Sequence, residues 1–330
     1  MMHVSIIGAG SWGTALAILL SGNGHKVTLW SRNTTLADDL RQKRINERYL
    51  AGHLIPDQVQ ITSQLSDTLE SDIILFVSPS IGLRSTTEQL AAAGPVSQST
   101  ILVSAVKGIE HRSGLRMSEI ISGFFPSNPI AVLSGPNHAE EVAQAIPTAS
   151  VLASTSKEVA TRLQHAISTR TLRLYTNEDV VGVELGGALK NIFALAAGIS
   201  DGLRLGDNSK AALVTRALAE LVRLGNALGG HRDTFQGLSG LGDLMVTCFS
   251  RHSRNRKVGE RLGCGEVLPE IISSIPMVAE GIPTTRSAKE CAVRLAVDTP
   301  IIDVVYSVLY EGVAPAEAMT QLMMRDLRAE

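Results

Sequence analysis

Lys190 stands in almost unbroken apolar sequence, Val180-Val-Gly-Val-Glu-Leu-Gly-Gly-Ala-Leu-Lys-Asn-Ile-Phe-Ala-Leu-Ala-Ala. A helix that is apolar nearly all round is a buried one. A buried ammonium needs an acidic partner or an anionic ligand, because its lost hydration is otherwise uncompensated. Lysines in such places serve as proton donors and acceptors. The competing reading is a lysine whose stem lies along apolar surface while the ammonium stays in water. Glu184 is six residues away, off the i,i+4 position of a helical ion pair. Gly186 and Gly187, one turn earlier, are expected to open space beside the lysine.

A second constellation follows in Gly240-Leu-Gly-Asp243 and Arg251-His-Ser253-Arg254-Asn255-Arg256-Lys257. Four cations in seven residues, with Ser253 at an expected helix N-cap, make a phosphate-sized anion site. A solvated basic loop is the bland alternative for any charge run. Nucleic acid is a weaker one, since 30 Lys and Arg are balanced by 32 Asp and Glu. Asp243 favours the phosphate reading, because an acid near Lys190 would hold its charge and position.

Two further loops close strands. Val103-Ser-Ala-Val-Lys107-Gly and Leu133-Ser-Gly135-Pro-Asn137-His-Ala139 sit where open α/β sheets bind ligands. Lys107 is placed to meet an anionic substrate group or the cofactor. At the start of the chain, Val4-Ser-Ile-Ile runs into Gly8-Ala-Gly10-Ser-Trp-Gly13 and then a helical stretch. Within a βαβ unit this is the dinucleotide fingerprint. Gly8 permits the turn, Gly10 lets backbone approach the pyrophosphate, and Gly13 lets helix and strand pack. The second strand ends in Trp30-Ser31-Arg32 rather than in an acid. Arg32 attracts a ribose 2′-phosphate, so NADPH is expected to serve at least as well as NADH.

These residues need a frame. Val4–Ile7, Val27–Trp30, Ile73–Val77, Ile101–Ser104 and Ile130–Leu133 read as strands buried on both faces, with Ala149–Ala153 and Thr171–Tyr175 extending the set. Alternation with helical sequence predicts an α/β, Rossmann-type, doubly wound sheet. The texture changes near residue 178. Val180–Ile199, Leu213–Leu228, Thr285–Leu295 and Ile301–Tyr310 read as helices, and no strand is evident. The expected organisation is a dinucleotide-binding domain over 1–177 and an all-helical substrate-binding and catalytic domain over 178–330. Aromatics are only 4% of the chain, so the cores must be aliphatic.

Cys248, Cys264 and Cys291 show no metal-binding spacing and read as reduced thiols. No metal is expected. The glycine-broken N-terminus lacks the basic region of a signal peptide. The expectation is a cytoplasmic protein without integral membrane contact.

The ordered set resembles one family. GAGSWGTALA from Gly8, Val-Lys107-Gly, Ser-Gly135-Pro, Gly-Ala-Leu-Lys190-Asn, Gly-Leu-Gly-Asp243, Ser-Arg254-Asn255-Arg-Lys-Val-Gly and Val278-Ala-Glu280-Gly281 run in this order over nearly the whole chain. Together they resemble the bacterial NAD(P)-dependent glycerol-3-phosphate dehydrogenases. The resemblance implies reversible interconversion of sn-glycerol 3-phosphate and dihydroxyacetone phosphate, a small phosphorylated triose, in support of phospholipid synthesis. It implies Lys190 as the catalytic proton donor and acceptor. Lys107, Gly135, Asn137, Lys190, Asp243, Ser253, Arg254 and Asn255 would contact substrate. Ser11, Trp12, Arg32, Tyr49, Lys107, Ala139, Arg254, Val278 and Glu280 would contact the cofactor beside Gly8, Gly10 and Gly13. The family usually has Thr or Ser where this chain has Asn137, and Asn still donates a hydrogen bond. A homodimer is a family expectation. Two competing functions remain: a dehydrogenase of this architecture acting on a hydroxyacid or sugar acid, and a non-catalytic dinucleotide sensor.

Overall fold

The computed structural model describes residues 1–275 and 278–326. Residues 327–330, at the end of the expected 178–330 domain, lie outside the described residues. Two compact units partition the chain: Met1–Lys107 with Leu115–Glu184, and Gly108–Gly114 with Leu185 onward. This division falls inside the Lys190 helix rather than ahead of it, and it assigns the 108–114 loop to the second unit.

The first unit runs β1 (His3–Ile7), α1 (Ser11–Gly22), β2 (Lys26–Trp30), α2 (Thr34–Lys43), β3 (Ile45–Asn46), β4 (Leu50–Leu54), β5 (Gln60–Thr62), β6 (Ile73–Phe76), α3 (Leu83–Ala93) and β7 (Ile101–Ser104). It continues with α4 (Met117–Phe124), β8 (Ile130–Ser134), α5 (Ala139–Ala143), β9 (Thr148–Ala153), α6 (Lys157–Ile167) and β10 (Leu172–Asn177). The eight-stranded sheet has the order β10-β9-β8-β7-β6-β1-β2-β5. All pairings are parallel except β8 with β9, so β9 and β10 run against the rest.

Side chains alternate across the sheet with period two. Val4, Ile6, Leu29, Ile73 and Leu75 pack with Leu16 and Leu20 in one core. Ile7, Trp30, Ile74 and Phe76 pack with Leu83, Leu90, Met117 and Ile120 in another. Burial on both faces is why the central strands are largely apolar, with only small polar residues such as Ser5, Thr28 and Ser104 buried among them. The exceptions are β5, a three-residue edge strand, and the antiparallel pair β3–β4, whose short sequences Ile-Asn and Leu-Ala-Gly-His-Leu carry no strand pattern.

The second unit is helical. It takes up α7 (Val180–Gly202), which begins in the first unit, then α8 (Gly206–Ala227), α9 (Arg232–Phe235), a π-helical turn at Leu238–Gly242 and α10 (Asp243–Phe249). There follow α11 (Arg254–Gly263), α12 (Leu268–Ser274), α13 (Gly281–Arg294), α14 (Pro300–Tyr306), a second π turn at Ser307–Glu311 and α15 (Pro315–Met323). No strand occurs after β10 among the described residues. By length and composition α7 would cross a membrane, but 89% of its most apolar window is buried inside the fold. It is a core helix.

The two ends of α7 are held differently. Glu184, fully buried, accepts from Ser118 N at 2.8 Å, from Ser118 Oγ and from Arg116 Nη1 at 2.9 Å. Burial pushes its carboxyl up from the ordinary range, and the Arg116 and Ser118 partners oppose that. Farther along, α7 packs backbone to backbone on α11. A Cβ on Gly198 would lie 2.0 Å from Arg256 O, and one on Gly259 would lie 2.0 Å from Leu195 O. This contact fixes α11, and therefore Ser253–Asn255, against the helix that carries Lys190.

Candidate active site

In the first unit, the glycine loop fits a dinucleotide pyrophosphate. Gly8 takes φ +128°, a conformation that favours glycine. A Cβ on Gly13 would lie 1.9 Å from Gly8 O, so only glycine lets α1 start so close to β1. A Cβ on Gly10 would meet nothing within 4 Å. Gly10 is the N-cap of α1, with no side chain capping the helix and no acid in its first turn. The Ser11–Gly13 amides thus stand at a helix N-terminus suited to phosphate oxygens. Trp12 carries a buried Nε1 without a hydrogen-bond partner. Arg32 is exposed just beyond β2, and Asn33 beside it caps α2. Ala139 packs with Ala15 and Leu50 in a small cluster that includes Trp12. Tyr49 lies in the β3–β4 turn under the Arg48 guanidinium, 5.3 Å from the ring centre.

Lys107 Nζ donates to Gly135 O at 3.0 Å and to Asn137 Oδ1 at 2.9 Å. The ends of β7 and β8 are therefore joined, and three of the residues expected on substrate form one group. Asn137 Oδ1 is engaged by the lysine, while its Nδ2 is buried without a partner. That leaves Nδ2 as the donor available to a ligand.

In the second unit Lys190 is only 5% exposed, which rules out the solvated-lysine alternative. Its Nζ donates to Asp243 Oδ1 and, at 2.7 Å, to Thr247 Oγ1. Thr247 in turn donates to Asp243 O at 2.6 Å, one turn back on α10. Thr247 escaped the sequence reading; its i+4 spacing from Asp243 was the available signal. Gly186 does not open space as expected. A Cβ there would lie 2.5 Å from Ser239 O, so the glycine instead brings the π turn against α7 and sets Asp243 beside Lys190. Cys248 is buried nearby, and burial pushes its thiol up to about 12, so it is no nucleophile at neutral pH.

The basic cluster divides. Ser253 caps α11, accepting from Arg256 N at 3.2 Å. Arg256 turns away to Asp201, which also holds Lys210 at 2.8 Å. Arg251 and Lys257 are exposed. Arg254 is exposed at the helix start and donates to Val278 O at 3.0 Å. Of the four cations, Arg254 is the one fixed at the α11 N-terminus. Asn255 is buried and links three elements: Nδ2 donates to Asn191 Oδ1 at 2.8 Å, and Oδ1 accepts from Gly281 N at 2.9 Å. Glu280, half-buried, is the N-cap of α13. All three cysteines are free, and among the described residues no His, Cys, Asp and Glu group has metal-site geometry.

The sheet order and glycine loop define a Rossmann-type dinucleotide fold, and the helical unit adds a buried Lys–Asp pair to it. Models described as the NAD-dependent glycerol-3-phosphate dehydrogenase N-terminus and C-terminus match residues 3–160 and 179–320, and the chain belongs to this family. A glycerol-3-phosphate dehydrogenase (NAD(P)+) of Nitrosomonas eutropha is 47% identical, covering 100% of this chain and 99% of its own length. A solved glycerol-3-phosphate dehydrogenase of Coxiella burnetii is 38% identical with a TM-score of 0.94, over 98% of this chain and 99% of that one. One from Saccharomyces cerevisiae is 26% identical with a TM-score of 0.82, over 97% and 99%.

Proposed function

We propose that this chain interconverts sn-glycerol 3-phosphate and dihydroxyacetone phosphate with NAD(P)H, and that Lys190 is the proton donor and acceptor. The supporting observation is the buried Lys190 ammonium held by Asp243 and Thr247. A bound reduced nicotinamide supplies the hydride for carbon C2. As C2 is reduced, negative charge grows on its oxygen. Lys190 stabilises that charge and then protonates the oxygen, as general acid catalysis requires. In the reverse direction Lys190 takes the hydroxyl proton. Asp243 and Thr247 restrict the ammonium to one position.

The first unit holds the dinucleotide on Gly8, Gly10, Gly13, Ser11 and Trp12, with Arg32 favouring a 2′-phosphate. Tyr49 and Ala139 border it, and the family resemblance adds Val278 and Glu280 to the cofactor contacts. Arg254 and the α11 N-terminus with Ser253 grip the substrate phosphate, while Lys107, Gly135 and Asn137 supply further contacts. Asn255 holds the start of α13 in place beside Arg254. The reaction serves phospholipid synthesis in the cytoplasm, in a homodimer. NADPH oxidation is measured with dihydroxyacetone phosphate and with dihydroxyacetone. Activity confined to the phosphorylated ketone is the expected result. Equal activity would contradict the phosphate assignment, and none with either would leave a dinucleotide sensor.

A further inference from the structure

The glycine loop is bonded through Gly8 N to Trp30 O at 3.1 Å and through Gly10 O to Thr14 N at 3.0 Å, which leaves the Ala9–Gly10 peptide between them. Glycine-flanked peptides rotate easily, so the Ala9–Gly10 peptide needs an outside hold if its amide is to face a phosphate. Asn46, from β3, is fully buried. Its Nδ2 donates to Ala9 O at 3.0 Å and to Thr14 Oγ1 at 2.8 Å. These two acceptors bracket Gly10–Gly13, the proposed pyrophosphate cradle. The amide can only point this way, because the Ala9 carbonyl accepts and cannot donate.

Peptide planarity makes this grip directional. In a trans peptide the C=O and N–H point opposite ways, so holding Ala9 O against β3 aims the Gly10 N–H away from it. The second bond fixes Thr14 in the first turn of α1, whose amides complete the cradle. Meanwhile the hairpin has its own anchor, since Leu50 packs with Ala15 and Ala139. Asn46 is therefore not the sole staple of β3–β4 to α1.

We propose that Asn46 is a positioning residue for the dinucleotide: by pinning Ala9 O and Thr14 it pre-sets the Gly10–Gly13 amides for a pyrophosphate. The proposal rests on reading that loop as the dinucleotide site. Pre-setting lowers the ordering cost of binding and leaves the chemical step alone.

Asn46→Asp replaces the donor by an acceptor at constant size. NADPH is titrated into the intact protein and followed by tryptophan fluorescence, for which Trp12 is a reporter in the loop. Kd is expected to rise about tenfold or more, the effect of a lost hydrogen bond and a new acceptor–acceptor clash. The kcat at saturating NADPH and the KM for dihydroxyacetone phosphate should stay near wild type. Asn46→Ala should move Kd the same way and covers a failure of the first variant to fold. A folded variant with unchanged Kd and only a lowered Tm would overturn the proposal, as would failure of both variants to fold. If wild type itself bound no NADPH, the loop reading would fall and this inference with it; binding by wild type with unaltered variants would sink Asn46 alone.

Discussion

Lys190 Nζ donates to the Asp243 carboxylate while Thr247, one turn along α10, accepts from the same nitrogen at 2.7 Å. The pair is buried, so neither charge is solvated by bulk water. Removing one charge from such a pair typically costs about 3–5 kcal/mol, because the other is left uncompensated. Asp243→Asn is expected to lower Tm and to reduce kcat through a misplaced or neutral Lys190, while Kd for NADPH stays constant. Calorimetry with steady-state kinetics checks this; wild-type kcat would contradict it.

Arg254 and Arg256 separate by partner. Arg256 serves Asp201, whereas Arg254 stands at the α11 N-terminus. Arg254→Ala should raise KM for dihydroxyacetone phosphate by about tenfold to a hundredfold, the worth of a charge-assisted phosphate contact. Arg256→Ala should lower Tm and leave KM nearly intact. The opposite pattern in kinetics and melting would refute the division.

Gly186→Ala tests the approach of the π turn to α7. Its Cβ would meet Ser239 O at 2.5 Å, so the turn must shift. Overpacking of this kind costs roughly 1–3 kcal/mol. Both Tm and kcat should fall, since the same turn delivers Asp243. A variant with wild-type stability and kcat would show that the approach is dispensable.

How far these relationships could be read from sequence depends on which residues carried them. The glycine loop, the central strands and Lys190 were legible because turn geometry, two-faced burial and a lone charge on an apolar helix each leave a local pattern. The β3–β4 pair and β5 were not, because these short strands lack period-two hydrophobicity. Asn46 acts through Ala9 and Thr14 and Thr247 through Lys190, all far along the chain, and no local pattern encodes those pairings; only the i+4 spacing of Thr247 from Asp243 was readable. Gly198 and Gly202 face Gly259 and Gly263 across the α7–α11 contact, a pairing between distant segments that only the structure shows. The 251–257 cluster read as one site because sequence lists charges without their partners; Asp201 takes Arg256 out of it.

Glu220 predicts a pH effect on stability. It is buried and accepts from Ile301 N and Ile302 N, at 2.9 and 2.8 Å, at the start of α14. Burial, against those bonds, raises its pKa from 4.5 to about 7. Between these values the native state keeps a proton that the unfolded chain has lost. Its contribution is fully present below about 4.5 and disappears as pH rises through 7. The change is on the order of 3 kcal/mol. Melting wild type and Glu220→Gln from pH 5 to 8 should show wild type losing stability relative to the variant. Parallel curves would contradict this.

Arg32→Ala should lower kcat/KM for NADPH more than for NADH, because only the former has a 2′-phosphate to lose. An unchanged ratio of the two would remove Arg32 from cofactor choice.

The proposed role of Lys190 is to move the proton. The direct measurement is NADPH oxidation with saturating dihydroxyacetone phosphate by wild type and by Lys190→Met, with NADPH affinity of both taken by fluorescence. Wild type should turn over, the variant should lose about a hundredfold to ten-thousandfold in kcat, and both should bind NADPH with similar affinity. A folded Lys190→Met protein with wild-type kcat would contradict it.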